Sequence, residues 1–142
     1  MTDGQAGAAE FARTFLQAVA WAEHTRVWDM LSATSRTAVL EVAARRGMDP
    51  LLEARLREST AGDDERDSFL TDLLQGIRAD LSGIDLDTVR CVCDNDTAGP
   101  TTRVRLLQDM PAALGGPLPV GWVELATEPR NQWSVVRVRG SP

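Results

Sequence analysis

Apolar residues recur at every third or fourth position through the first half of the chain. Ala8, Phe11, Phe15, Val19 and Ala22 form one stripe, which predicts a helix from Ala6 to about Glu23 behind a loose tail at residues 1–5. Val27, Trp28 and Leu31 mark a short second helix that Thr25 can cap. Ser32 or Thr34 can cap a third helix running to Arg46, with Ala38, Val39, Val42 and Ala43 turned inward and Gly47 placed to end it. Asp49-Pro50 joins an N-cap residue to one suited to the first helical position, and Leu51, Leu52 and Leu56 carry that fourth helix to about Ser59. A longer helix follows from about Asp64 to Ser82 on a stripe of Phe69, Leu70, Leu73, Leu74, Ile77 and Leu81, closed by Gly83.

The period then drops to two. Thr88–Asp94 and Thr101–Gln108 alternate, separated by the turn-forming run Asn95 to Pro100. Met110–Pro119 is rich in Pro and Gly and reads as an irregular loop. Gly121–Thr127 and Gln132–Arg139 form a final hairpin. Helices followed by strands, without βαβ alternation, predict a single α+β domain over residues 1–142, helical over 6–82 and an antiparallel sheet over 88–139.

Strict alternation gives that sheet two unlike faces. One carries Val89, Cys91, Cys93, Val104, Leu106, Val123, Leu125, Val136 and Val138 and is expected to meet the helices. The other carries Arg90, Val92, Asp94, Arg103, Arg105, Leu107, Trp122, Glu124, Trp133, Val135, Arg137 and Arg139. Trp and Arg are enriched where proteins bind proteins. Arg90, Arg103, Trp122, Trp133 and Arg137 are therefore candidate interface residues, for a second copy or another protein. A solvated face with tryptophans laid along arginine stems is the plainer alternative.

Charge sharpens this contrast. The net charge is −6, yet residues 88–142 hold 5 Asp/Glu and 6 Arg while residues 1–87 hold 16 Asp/Glu and 9 Arg. An acidic chain is a poor match for nucleic acid or an anionic membrane surface. All 15 basic residues are Arg, so Schiff-base chemistry and a phosphate-loop lysine are excluded, and there is no Tyr. The 43% apolar content is ordinary for a globular protein. The N-terminus lacks a basic start followed by an apolar run, and the two cysteines stand too close in sequence for an unstrained bridge. Together these predict a cytoplasmic protein with reduced thiols.

The order of elements, with Phe11-x-x-x-Phe15 in the first helix and then Trp28-x-x-Leu31-Ser32-x-x-Ser35-Arg36, resembles the NTF2-like (SnoaL-like, cystatin-like) superfamily. The resemblance covers residues 8–46 by motif and 88–139 by element order. It implies a curved sheet wrapped around helices as a cone with a pocket, and dimers formed through the outer sheet face. It also implies that the chain is either an accessory or binding domain or a small cyclase, isomerase or dehydratase acting on a polyketide- or terpene-like substrate. The Tyr and paired His of well-known catalytic members are absent from this chain.

Candidate chemistry is sparse. His24, the single histidine, precedes Asp29 by five residues, and the two could form a general base; a helix-end His favoured by the dipole is the plain alternative. Asp94 is a third candidate base. Phe15, Trp21, Trp28 and Arg105 are candidates to line a pocket for a small apolar molecule, although tryptophans at helical spacing usually belong to the core. Ser32 and Ser35 read as caps, and Cys91 and Cys93 as small buried hydrophobes. No metal or cofactor is expected from this residue set. A last possibility is that the acidic run Asp63, Asp64, Glu65 and Asp67 binds a basic partner.

Overall fold

The computed structural model describes residues 3–93, 101–128 and 132–140. Five helices come first: α1 (Asp3–Ala20), α2 (His24–Met30), α3 (Ala33–Arg45), α4 (Pro50–Arg57) and α5 (Asp63–Asp80). The strands β1 (Arg90–Cys93), β2 (Thr101–Gln108), β3 (Leu118–Glu128) and β4 (Gln132–Gly140) follow, with a short 3-10 turn at Ala112–Leu114. They pair as an open antiparallel sheet in the order β1-β2-β3-β4, so the class is α+β. The predicted turn at residues 95–100 and the candidate base Asp94 lie outside the described residues. The first helix begins at Asp3, so most of the expected loose tail is helical.

Alpha1 lies across the inner face of the sheet and touches all four strands. Ala8 and Ala12, one turn apart and both fully buried, let its backbone come close, while Phe15, Leu16 and Val19 fill the space against Val104, Leu106, Val123 and Leu125. All of these residues are buried between α1 and the sheet. Alpha2 and α5 pack beside one another, with Trp28 meeting Phe69 edge-on at 5.5 Å between ring centres. In α3 the buried residue is Leu40, whereas Ala38 and Val42, expected to point inward, are exposed. Asp49 caps α4 by accepting from the Leu51 N–H, as the Asp-Pro pair predicts.

A bulge changes which residues of β4 face the helices. Glu124 pairs with Arg137, but Leu125 pairs with Val135, so Val136 is an extra residue and the register steps by one. Val135 is fully buried on the inner side, and Trp133 packs against the core with its Nε1 close to Gly7 of α1. Both were expected on the outer face. Strict alternation fails here because one inserted residue moves every side chain beyond it to the opposite face.

The Trp28–Arg36 segment holds this bulge in place. Leu31 bridges Val135, and the Ser32 N–H donates to the Val135 carbonyl at 2.8 Å. Ser35 Oγ donates to the carbonyl of Val136, the bulged residue. Ser32 also caps α3 by accepting from the Ser35 N–H, and Arg36 donates to the carbonyls of Trp28 and Asp29 at the end of α2. The open edge of β4 is thereby covered by the α2–α3 junction, which shields ladder groups that would otherwise invite further pairing.

Candidate functional site

With the inner face filled, the sheet's other face is the first surface that can meet another molecule. Beta2 supplies Arg103 and Arg105, β3 supplies Trp122 and Glu124, and β4 supplies Arg137 and Arg139. Register places Val92, Arg105, Trp122 and Arg139 side by side across all four strands. The adjacent row is Arg103, Glu124 and Arg137. The Arg103 guanidinium sits 4.4 Å from the centre of the Trp122 ring, where the ring's negative face attracts a cation.

Electrostatics on this face are lopsided. Glu124 accepts from Thr101 Oγ1 at 3.0 Å and lies 4.0 Å from Arg137, and Arg90 pairs with Asp109 at 2.8 Å. Among the described residues Arg105 and Arg139 make no ion pair. Among the described residues, five arginines against these two carboxylates leave the face at +3 on a chain of −6. The face thus holds four of the five candidate interface residues together: Arg90, Arg103, Trp122 and Arg137. Trp133 is turned to the helices.

The candidate catalytic and pocket residues are scattered. His24 Nε2 approaches Asp67 Oδ1 at 3.2 Å, not Asp29, which lies 3.9 Å from Arg66. Both contacts tie α2 to α5 at a solvent-exposed seam. Trp21 is 66% exposed at the turn after α1, Trp28 and Phe15 are core, and Arg105 is on the far side of the sheet. Burial pushes the Cys91 thiol up to about 11, partly opposed by Arg13, so it is a poor nucleophile. Among the described residues no group of three or more His, Cys, Asp and Glu is placed to hold a metal ion, and no helix is long and apolar enough to cross a membrane.

A second surface did not stand out in the sequence. Alpha3, α4 and α5 enclose an open groove of about 1150 Å³, floored by Val39, Met48, Leu52, Phe69, Leu73 and Ile77. None of the expected pocket residues lines it. Its signal was the width of the α5 stripe, whose six apolar residues spread over about 140° of the helix at 100° per residue. Leu70, Leu74 and Leu81 occupy the buried part of that arc, and Phe69, Leu73 and Ile77 remain half-buried. No family model, no curated protein and no solved structure matches the chain.

Proposed function

We propose that this chain is an accessory or binding domain of NTF2-like descent that works through the outer face of its sheet, by associating with a second copy or with a protein of acidic surface. The observation that carries this reading is the row Arg105–Trp122–Arg139, a tryptophan flanked across the strands by two arginines that make no ion pair among the described residues. A flat aromatic between cations offers apolar area at its centre and charge at its rim, the composition of a protein-binding hot spot. The acid-rich α5 of a second copy, with Asp63 and Asp64 in its first turn, supplies matching charge. The cone shape and the dimer habit that the resemblance implies belong to this proposal.

The rival reading as a small cyclase, isomerase or dehydratase has less behind it. Its candidate base His24 is engaged at an exposed seam, and the inner face of the sheet is packed with Phe15, Leu106 and their neighbours. Sedimentation equilibrium of the chain and of Arg105→Glu/Arg139→Glu tests the preferred reading. Self-association that weakens with salt and is lost in the double variant supports it. A chain that stays monomeric into the high micromolar range removes the second copy as the partner. If the double variant also retains all binding to acidic proteins that the unaltered chain shows, the sheet-face reading fails.

A further inference from the structure

We propose that the groove between α3, α4 and α5 is the seat of an amphipathic helix from a partner protein, apolar on the face that enters and basic along its flanks. This rests on a different surface from the sheet face and stands or falls separately.

Shape is the first argument. About 1150 Å³ is close to the volume of three turns of an α-helix roughly 10 Å across. Enclosed sites for small ligands are usually smaller and cover most of the ligand, whereas this one is an open trough. Its floor is apolar and only half-buried, so the isolated chain leaves hydrophobic surface in water that a docking face with residues at i, i+3/i+4 and i+7 would cover.

The α5 wall is the second argument. Beside its floor residues Phe69, Leu73 and Ile77, α5 lines the groove with Glu65 and with the shorter Ser68, Asp72, Gly76, Ala79 and Asp80. Gly76 is in the interior of an 18-residue helix, where glycine is disfavoured relative to every residue except proline. A Cβ there would meet nothing within 4 Å, so packing within this chain gives no reason for glycine. A second helix crossing close to α5 at that point gives one.

Charge selects the occupant. Asp72 and Asp80 line the groove and, among the described residues, neither makes an ion pair. Glu65, also on the lining, is already held by Arg55 at 2.6 Å, and that contact keeps its carboxyl below the usual range. Arg46 is the one cation among the lining residues. Alpha5 as a whole carries six carboxylates and two arginines. A second copy is a poor occupant, because its excess of basic charge lies on the face of a four-stranded sheet, which is too broad to enter a trough one helix wide. A lysine- or arginine-flanked helix satisfies both the floor and the rim.

The test uses the full chain and synthetic helical peptides of about five turns: leucines on one face with lysines elsewhere, the same leucines with glutamates, and the lysine peptide with its leucines scrambled. Titration calorimetry at physiological salt should show binding of the first peptide only. Gly76→Gln should weaken it by about tenfold while the melting temperature holds or rises, because Gln is the better helix former. Asp72→Asn/Asp80→Asn should weaken it more than the charge-matched control Glu10→Gln/Asp87→Asn. The proposal is overturned if the lysine peptide does not bind, or if the glutamate or scrambled peptide binds equally well. It is also overturned if Gly76→Gln binds like the unaltered chain, or if the two charge-matched pairs weaken binding alike.

Discussion

Alpha1 and α5 are both 18-residue helices with broad apolar arcs, yet they end in opposite situations. The arc of α1 meets a four-stranded face wide enough to absorb it, so Ala8, Ala12, Phe15, Leu16, Ala18 and Val19 all disappear from water. Alpha5 meets the side of α2 and the margins of α1 and β4 instead. A helix laid beside a helix covers a narrower strip than a helix laid on a sheet, so Leu70 and Leu74 are buried while Phe69, Leu73 and Ile77 face the groove. A helix's own hydrophobicity therefore does not decide how much of it becomes core; the shape of what it meets does.

Substitutions in the two helices test this difference. Phe15→Ala should destabilise the fold by about 3–5 kcal/mol, because it empties a site with no exposure, while Phe69→Ala should cost about half as much. Equal losses in urea denaturation would mean that α5 is as fully engaged as α1. Adding single methyl groups sharpens the contrast. Gly121 is buried on β3, and a Cβ there runs into the Arg139 carbonyl, so Gly121→Ala should cost about 1–3 kcal/mol. Gly76→Ala has open space around it and should instead stabilise by about 0.5–1 kcal/mol. Thermal unfolding of the two variants should therefore shift in opposite directions.

Between those two in size lies the anchor of β4. Ser35→Ala removes the donor to the bulge carbonyl of Val136 and should lower stability by about 1 kcal/mol, with faster amide exchange along β4 than along β2. Uniform exchange in the two strands would show that the serine does not hold the bulge.

The smallest effect concerns the thiol under α1. Cys91 has its pKa raised in the folded chain from 9.0 to about 11, so the unfolded chain releases that proton first. Stability tied to this thiol is complete below pH 9 and is lost as pH rises from 9 toward 11. No Lys or Tyr titrates alongside it. Melting temperatures followed across that window should fall for the unaltered chain and fall less for Cys91→Val. Identical curves would place the thiol in water and detach β1 from the helical layer.

Much of the architecture was legible in the residues. The alternation of Thr101–Gln108 matches β2 residue for residue, and Asp49-Pro50 opens α4 where local chemistry requires. Four members of the candidate interface stay together because they precede the bulge on β1 to β3 or, like Arg137, lie on its near side. Trp133 and Val135 were misplaced because their facing depends on an insertion that alternation cannot see. The groove was missed for a similar reason: the α5 stripe announced apolar surface without saying how much of it a neighbour would take.

Caps, turns and hydrophobic period act over a few neighbouring residues, so the helices, the strands, the order of the two halves and the basic charge of the late segments could all be read from the chain. Which β4 residues face the helices, and which part of α5 remains uncovered, depended on packing between distant elements. Ser32 and Ser35 reach about a hundred residues along the chain to fix the first, and the unequal widths of a sheet and a helix fix the second. Both are relations between surfaces that exist only once the chain has folded.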